Sequence, residues 1–124
     1  MTRSLAMWLT AFLLVACTEA ESAEDKKRMD AIETRPRMPA GASGLHDYAR
    51  YYGPTNDGKV AGYLLSGRHY DPDSEWYDVP VGKRRWLKHA DYGPAISGGG
   101  CDVVFVLFDP STNTIEESEC NGSY

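Results

Sequence analysis

Apolar residues follow three patterns along the chain. Residues 4–16 are almost continuously apolar and end at Cys17, after which Thr18-Glu19-Ala20-Glu21 is mostly polar. From Leu45 onwards, aromatic and β-branched residues dominate, and the 3.6-residue period of an amphipathic helix is absent. Residues 103–108, Val-Val-Phe-Val-Leu-Phe, are apolar at every position. The pattern predicts a β-rich domain after an apolar leader, with 103–108 as a strand covered on both faces.

Two hairpins are predicted within this domain. Residues 46–52 and 59–65 flank Gly53-Pro54-Thr55-Asn56-Asp57-Gly58, whose Asp-Gly ending is typical of a hairpin turn. Residues 101–109 and 114–120 flank Pro110-Ser111-Thr112-Asn113, which are turn-forming residues. A further strand is expected at 84–89. We therefore expect a mainly β fold, or an α+β fold with one short N-terminal helix, built as a small antiparallel sheet or partly closed barrel of roughly four to six strands.

The segment before the β-rich part is charged and then rich in Pro, Gly and small residues. Ser22, followed three residues later by Asp25, predicts the start of a short helix that runs to Glu33. Met29 and Ile32 lie on one side of this helix, which is too few apolar residues for a core-facing stripe. The chain is therefore divided into a leader at 1–16, a charged, Pro/Gly-rich tether at 17–44 and a small β-rich domain at 45–124.

The leader has the three parts of a secretory signal. Arg3 and the amino terminus supply positive charge, an apolar middle follows, and small residues precede a cleavage point. The apolar run is too short to cross a bilayer as a helix, which needs about 20 apolar residues.

The end of the leader, Leu14-Val15-Ala16-Cys17, resembles the lipobox of bacterial lipoproteins. This resemblance implies cleavage before Cys17 and lipidation of Cys17, with a diacylglyceryl group on the thiol and an acyl chain such as palmitate on the new amino group. It also implies a lipid-anchored place in the cell envelope. Because Thr18 is not Asp, the family's sorting rule favours the outer membrane, with the protein facing the periplasm.

Cleavage before Cys17 would leave 108 residues with 12 Lys and Arg against 18 Asp and Glu, a net charge of −6. This length allows one small domain. The acidic balance argues against nucleic acid as a partner, because binding to phosphates needs a basic face.

Cys101 and Cys120 remain after Cys17 is assigned to lipid, and in an oxidising compartment we expect them to form a disulfide that staples the terminal hairpin. Two registers are open. If Asp109 faces Thr112, Cys101 lies directly opposite Cys120. If Asn113 is left-handed and Asp109 faces Thr114, the pair is diagonal. Either register leaves both cysteines on one face.

Candidate chemistry along the chain is sparse. Residues 71–75 begin like a calcium loop, but Trp76 and Gly82 stand where that loop needs Gly and Glu. Nucleophilic catalysis needs the residue types of Ser97, His89 and Asp91, but none of the three lies in a sequence motif that is typical of such enzymes. We therefore predict no catalytic site, metal site or cofactor.

Residues 83–88, Lys-Arg-Arg-Trp-Leu-Lys, are the one basic run of this acidic domain. Such a run can contact anionic headgroups, a glycan or an acidic protein, while the alternative is a solvated strand with Trp86 turned into the core. The candidate binding surface comprises Trp76, Arg84, Arg85, Trp86 and Lys88. A periplasm-facing binding or inhibitor module is the leading hypothesis. The alternatives are a structural or assembly component of the envelope, with an envelope protein as partner, and a small envelope hydrolase.

Overall fold

The computed structural model describes residues 21–35, 38–74 and 76–122. The predicted lipidation residue, Cys17, lies outside these residues. The described part is mainly β, as predicted, with a single five-stranded sheet and one helix. In chain order the elements are α1 (Ala23–Glu33), β1 (Ala49–Pro54), β2 (Val60–Leu65), β3 (Arg84–Trp86), β4 (Val103–Asp109) and β5 (Thr114–Cys120).

The two predicted hairpins are confirmed. β1 and β2 pair antiparallel, from Ala49 opposite Leu65 to Pro54 opposite Val60. The turn between them uses Gly58 at φ +81°, a conformation that costs Gly little and other residues much more. β4 pairs antiparallel with β2 on one side and with β5 on the other.

The β4–β5 hairpin adopts the second of the two expected registers. Asp109 faces Thr114, and Asn113 is left-handed with φ 55°. Asn tolerates this conformation because its short polar side chain can form local hydrogen bonds. A register shift then follows between Leu107 and Phe108, which gives β5 one extra residue at this point.

The predicted disulfide between Cys101 and Cys120 is present, with an S–S distance of 2.02 Å and a Cα–Cα distance of 4.6 Å. Its setting differs from the expected one, because β4 begins at Val103 rather than at Cys101. Cys101 lies in a 3-10 turn, Gly100–Asp102, just before the strand. The bond therefore joins a turn to the end of β5, and it does not link two positions of the ladder.

The sheet has the strand order β3-β1-β2-β4-β5 and is open. It is mixed rather than purely antiparallel, because β3 runs parallel to β1. The end of β2 lies beside the start of β1. The connection to β3 stays at this end of the sheet, so β3 also starts beside the start of β1. The two strands therefore run in the same direction.

α1 packs on one face of the sheet. The Ser22 hydroxyl accepts a hydrogen bond from the Asp25 N–H at 3.1 Å, as the capping pattern predicts. Met29 and Ile32 are 0% and 4% exposed, in a core cluster with side chains of β1, β2 and β4. Residues 23–33, predicted to belong to a tether, are therefore part of the folded domain.

Loops cover much of the opposite face. Ala49, Tyr51, Leu65, Val79 and Val103 form a second buried cluster there. The side chains that pack against this cluster are Tyr63, Trp76, Tyr77, Leu87 and Ile96. β4 lies inside the sheet and contributes buried residues to both clusters, as its continuous apolar pattern predicted.

A polar network fastens α1 to the sheet. The Glu33 carboxylate accepts hydrogen bonds from Arg50 Nε at 2.6 Å, from the Tyr52 hydroxyl at 3.0 Å and from Arg84 Nη1 at 2.9 Å. Arg50, whose side chain is 5% exposed, also donates to the Leu45 carbonyl. Burial, together with the nearby charge of Glu33, raises the pKa of Tyr52 far above its usual value. Tyr52 therefore remains a hydrogen-bond donor.

Replacing Glu33 by Gln should lower the free energy of unfolding by about 3 kcal/mol, because the buried Arg50 loses its counter-ion. Urea unfolding followed by circular dichroism measures the loss. Glu24→Gln is the matched control in the same helix. Glu24 pairs with Arg28 at 3.6 Å on the exposed surface, so its loss should be below about 0.5 kcal/mol. Equal losses in the two variants would contradict the prediction.

Replacing both Cys101 and Cys120 by Ala should lower the free energy of unfolding by about 3 kcal/mol, because the unfolded chain is no longer cross-linked. The same urea experiment measures this change. The expected loss follows from the loop that the disulfide closes, across a sequence separation of 19 residues. A double variant as stable as the wild type would contradict the prediction.

Candidate functional site

The basic run is divided between the two faces of the sheet. β3 is the outer neighbour of β1, with Arg85 opposite Tyr51 and Trp86 opposite Tyr52. Because successive side chains of a strand alternate, Arg84 and Trp86 lie on the face that α1 covers, and Arg85 lies on the face that the loops cover.

Trp86 is half-buried against α1. Its ring packs against the core cluster of that face, and the Arg28 guanidinium carbon lies 5.8 Å from the ring centroid, within cation–π range. The backbone N–H of Trp86 donates to Glu21 Oε1 at 2.9 Å. The chain just before α1 therefore contacts the edge of the sheet at β3.

Arg84 belongs to the network that holds the helix. Its guanidinium donates to Asp30 Oδ1 at 2.7 Å as well as to Glu33. Arg84 was predicted to lie on the binding surface, but these bonds direct its charge towards α1.

Arg85 forms part of a second polar cluster, on the loop-covered face. It donates to Asp78 Oδ2 at 2.5 Å, and its guanidinium carbon lies 5.2 Å from the centroid of the Tyr51 ring. The Tyr51 hydroxyl donates to Asp78 Oδ1 at 3.2 Å and accepts from the Val79 N–H at 2.9 Å. This cluster fixes the loop of residues 76–79 against the sheet.

Trp76 adds aromatic contacts to this polar cluster. Its ring centroid lies 5.7 Å from that of Tyr51 and 5.5 Å from that of Tyr63, the latter in an edge-to-face geometry. Such pairs contribute about 0.5–1.5 kcal/mol each beyond burial of their area. Trp76 is half-buried, so part of it remains at the surface.

A groove of about 420 Å³ at the β3 edge brings four of the five predicted binding residues together. It is lined by Trp76, Arg85, Trp86, Leu87, Lys88 and His89. Arg84 is not among the lining residues. Leu87 and His89 were not predicted as part of the surface. Leu87 lies within the basic run and His89 directly follows it, which is the signal that could have found them. We call this site the β3 groove.

A second groove, of about 510 Å³, lies towards the β5 edge of the sheet, where the loop of residues 93–96 approaches β4 and the end of β5. Tyr63 and Phe105 supply aromatic surface there, and Glu119 supplies a carboxylate. The Asn121 amide donates to the Ile96 and Gly98 carbonyls at 2.9 and 2.6 Å, which holds the loop in place. None of these side chains belongs to the predicted binding surface.

The residues considered for hydrolysis do not form a catalytic arrangement among the described contacts. The Asp91 carboxylate accepts from the Asn56 N–H at 2.8 Å, rather than orienting His89. His89 and Ser97 are exposed. Within residues 21–35, 38–74 and 76–122, no group of three or more His, Cys, Asp or Glu side chains could hold a metal ion.

Among the residues that the structure describes, two buried side-chain atoms have no hydrogen-bond partner. Ser66 Oγ and His69 Nε2 line the same crevice beside Tyr51 and Val79. This crevice has essentially no room for a water-sized sphere, so it is not a ligand pocket.

Comparison of the chain with protein-family models, with curated proteins and with solved structures gives no match. In the described part of the chain, the one helix is neither long nor apolar enough to cross a membrane.

Raising the pH from 10 to about 12 should destabilise the fold through Tyr51. Burial raises the pKa of Tyr51 from 10.0 to about 12. The unfolded chain then loses this proton first, so stability that is fully present below pH 10 is lost as the pH rises through this window. Urea unfolding at stepped pH measures the loss.

The Tyr51→Phe variant should lose less stability than the wild type over that window, because it has no phenol to titrate at this position. Tyr92→Phe, at a position 88% exposed, should follow the wild type. If Tyr51→Phe and the wild type have the same pH dependence, the buried phenol is not its source.

Proposed function

We propose that this protein is a lipid-anchored bacterial envelope protein that acts as a binding module and uses the β3 groove as its binding surface. The observation that carries the proposal is the meeting of Trp76, Arg85, Trp86 and Lys88 around one groove. These residues come from a loop, a strand and the segment after it, and they combine apolar rings with positive charge. Aromatic residues and Arg are enriched at binding surfaces.

The groove has the size and the apolar surface of a ligand site. Its volume of about 420 Å³ is within the size range of small-ligand pockets. Leu87 and the two Trp rings supply apolar contact, and Lys88 and Arg85 are charged side chains of the lining, with Arg85 paired to Asp78.

The lipid anchor rests on the lipobox-like Leu14-Val15-Ala16-Cys17. Two or more acyl chains on Cys17 would hold a small domain stably on a membrane without a spanning helix. Anchoring to the outer membrane, facing the periplasm, follows from Thr18 under the sorting rule of the lipoproteins that this leader resembles.

Binding is favoured over hydrolysis by the contacts of the candidate catalytic residues. Asp91 is engaged with the Asn56 N–H, and His89 belongs to the rim of the β3 groove. A hydrolase would need a nucleophile and a base within hydrogen-bond reach of each other.

The anchor is tested by the intact mass and detergent partitioning of the natively expressed protein. The expected mass corresponds to a chain that begins at Cys17 and carries acyl chains, and the protein should enter the detergent phase. The Cys17→Ser variant should stay in the aqueous phase. A native chain that begins elsewhere, or carries no lipid, would refute the anchor.

The binding surface is tested by placing a photo-crosslinking amino acid at position 88 and, as a control, at position 59. Lys59 pairs with Glu116 of β5 at 2.5 Å, on the opposite side of the sheet. We expect a discrete adduct from position 88 and none from position 59. Equal adducts from both positions would refute the β3 groove and favour the alternative of an assembly component that is surrounded by envelope proteins.

A further inference from the structure

The second groove, towards the β5 edge, is a separate site from the β3 groove. It has a volume of about 510 Å³, within the size range of small-ligand sites, and the two grooves share no lining residue. The rings of Tyr63 and Phe105 line it, with centroids 5.6 Å apart and planes inclined at 48°. Ile96 and Val103 add apolar surface. The two inclined rings therefore offer a bound group aromatic contact from two directions.

The charged group of this lining is a carboxylate. Glu119 lies directly opposite Phe105 in the β4–β5 ladder, so the two side chains project from the same face of the sheet. Among the residues that the structure describes, Glu119 forms no ion pair, whereas Glu116 on the same strand is paired with Lys59. Glu117, two positions before Glu119, is exposed on the same face. Glu119 therefore presents an uncompensated negative charge to a ligand that enters the groove.

Contacts around the second groove fix its shape. The Tyr63 hydroxyl donates to the Ala90 carbonyl at 3.0 Å. The Asn121 amide donates to the Ile96 carbonyl at 2.9 Å, which fixes the loop that forms one wall. Gly93 in this loop lies so close to the Tyr63 ring that a Cβ there would be 2.3 Å from Cε1, so a larger residue would displace the ring or the loop. A site that is shaped in advance loses less entropy when it binds a ligand.

We propose that the second groove binds a small organic ammonium ion, in which alkyl groups surround a positively charged nitrogen. Aromatic faces attract such a cation through the negative side of the ring quadrupole, and Tyr63 and Phe105 supply these faces. Glu119 supplies the opposite charge, while the alkyl groups contact the apolar lining. A metal ion would need several ligating side chains, and this lining has a single carboxylate. The proposal goes beyond the binding module at β3, because it depends neither on that groove nor on the lipid anchor.

Choline and its neutral isostere 3,3-dimethylbutanol test the charge of the ligand, because carbon replaces the nitrogen while the shape is retained. The isotope-labelled full-length protein, in a neutral maltoside detergent, is titrated with each compound and followed through its amide NMR signals. We expect choline to shift the signals of residues 119–122, but not those of residues 86–89 at the β3 groove. Choline should bind about tenfold more tightly than the isostere, since the rings and Glu119 attract only the cation. Equal affinities, or signals of residues 119–122 that do not move, would overturn the proposal.

Two variants with the same loss of charge locate the site. Glu119→Gln should weaken choline binding about fivefold, the upper end for an exposed ion pair, and leave the binding of 3,3-dimethylbutanol unchanged. Glu117→Gln is the matched control, because Glu117 is exposed on the same strand and face but does not line the groove. It should change the affinity for choline less than about twofold. Equal losses in the two variants would overturn the proposal, since the effect would then come from net charge rather than from the groove.

The aromatic contribution is tested by Phe105→Leu, which keeps an apolar side chain at this half-buried position. Choline binding should weaken about threefold and the binding of 3,3-dimethylbutanol less, because the ring attracts only the cation. Equal losses for the two compounds would overturn the proposal, since the ring would then act as apolar surface alone. The Glu119→Gln result stands independently of this variant, because Glu119 is exposed. A native chain without lipid on Cys17 would refute the anchor and leave this site unaffected.

Discussion

One carboxylate, that of Glu33, holds the helix to the sheet. α1 buries few apolar residues, chiefly Met29 and Ile32, so apolar contact alone secures it weakly. Arg50 lies almost wholly inside this interface, and a buried guanidinium without a partner would cost several kcal/mol. Glu33 supplies the partner from the last position of the helix. Because the same carboxylate also accepts from Arg84, one residue connects the helix, β1 and the edge strand.

This constraint extends to the β3 groove. β3 has only three residues, too few for ladder hydrogen bonds alone to hold an edge strand firmly. Ion pairs on both faces supplement them: Arg84 is bound to α1, and Arg85 is bound to Asp78 in the adjoining loop. Because ion pairs hold both faces of β3 in this way, Trp86 and Lys88 lie at the edge of the sheet beside Trp76. The polar contacts that stabilise the domain therefore also position the candidate binding surface.

Predictions from sequence succeeded where the signal was local. The Asp-Gly turn and the Ser22 cap each depend on a few neighbouring residues, and each was found in its expected place. The left-handed Asn113 belongs to one of the two registers that turn chemistry left open. The binding surface stays a prediction, although consecutive residues of the basic run line one groove and Trp76 joins them from a loop. Arg84 does not line this groove, because its contacts lie with Asp30 and Glu33, more than 50 residues away along the chain.

The sequence by itself determined the β-rich class, the two hairpins and the pairing of Cys101 with Cys120, because turn chemistry, strand periodicity and an even pair of cysteines are properties of the chain itself. Only the tertiary structure decided that β3 runs parallel to β1, that Arg50 is buried and that a helix with two buried apolar side chains belongs to the core. These features depend on contacts between distant segments, whose energies include the desolvation of charged groups. No local pattern contains that information, since the same Arg is stable in water or in a core according to whether a carboxylate from another element reaches it.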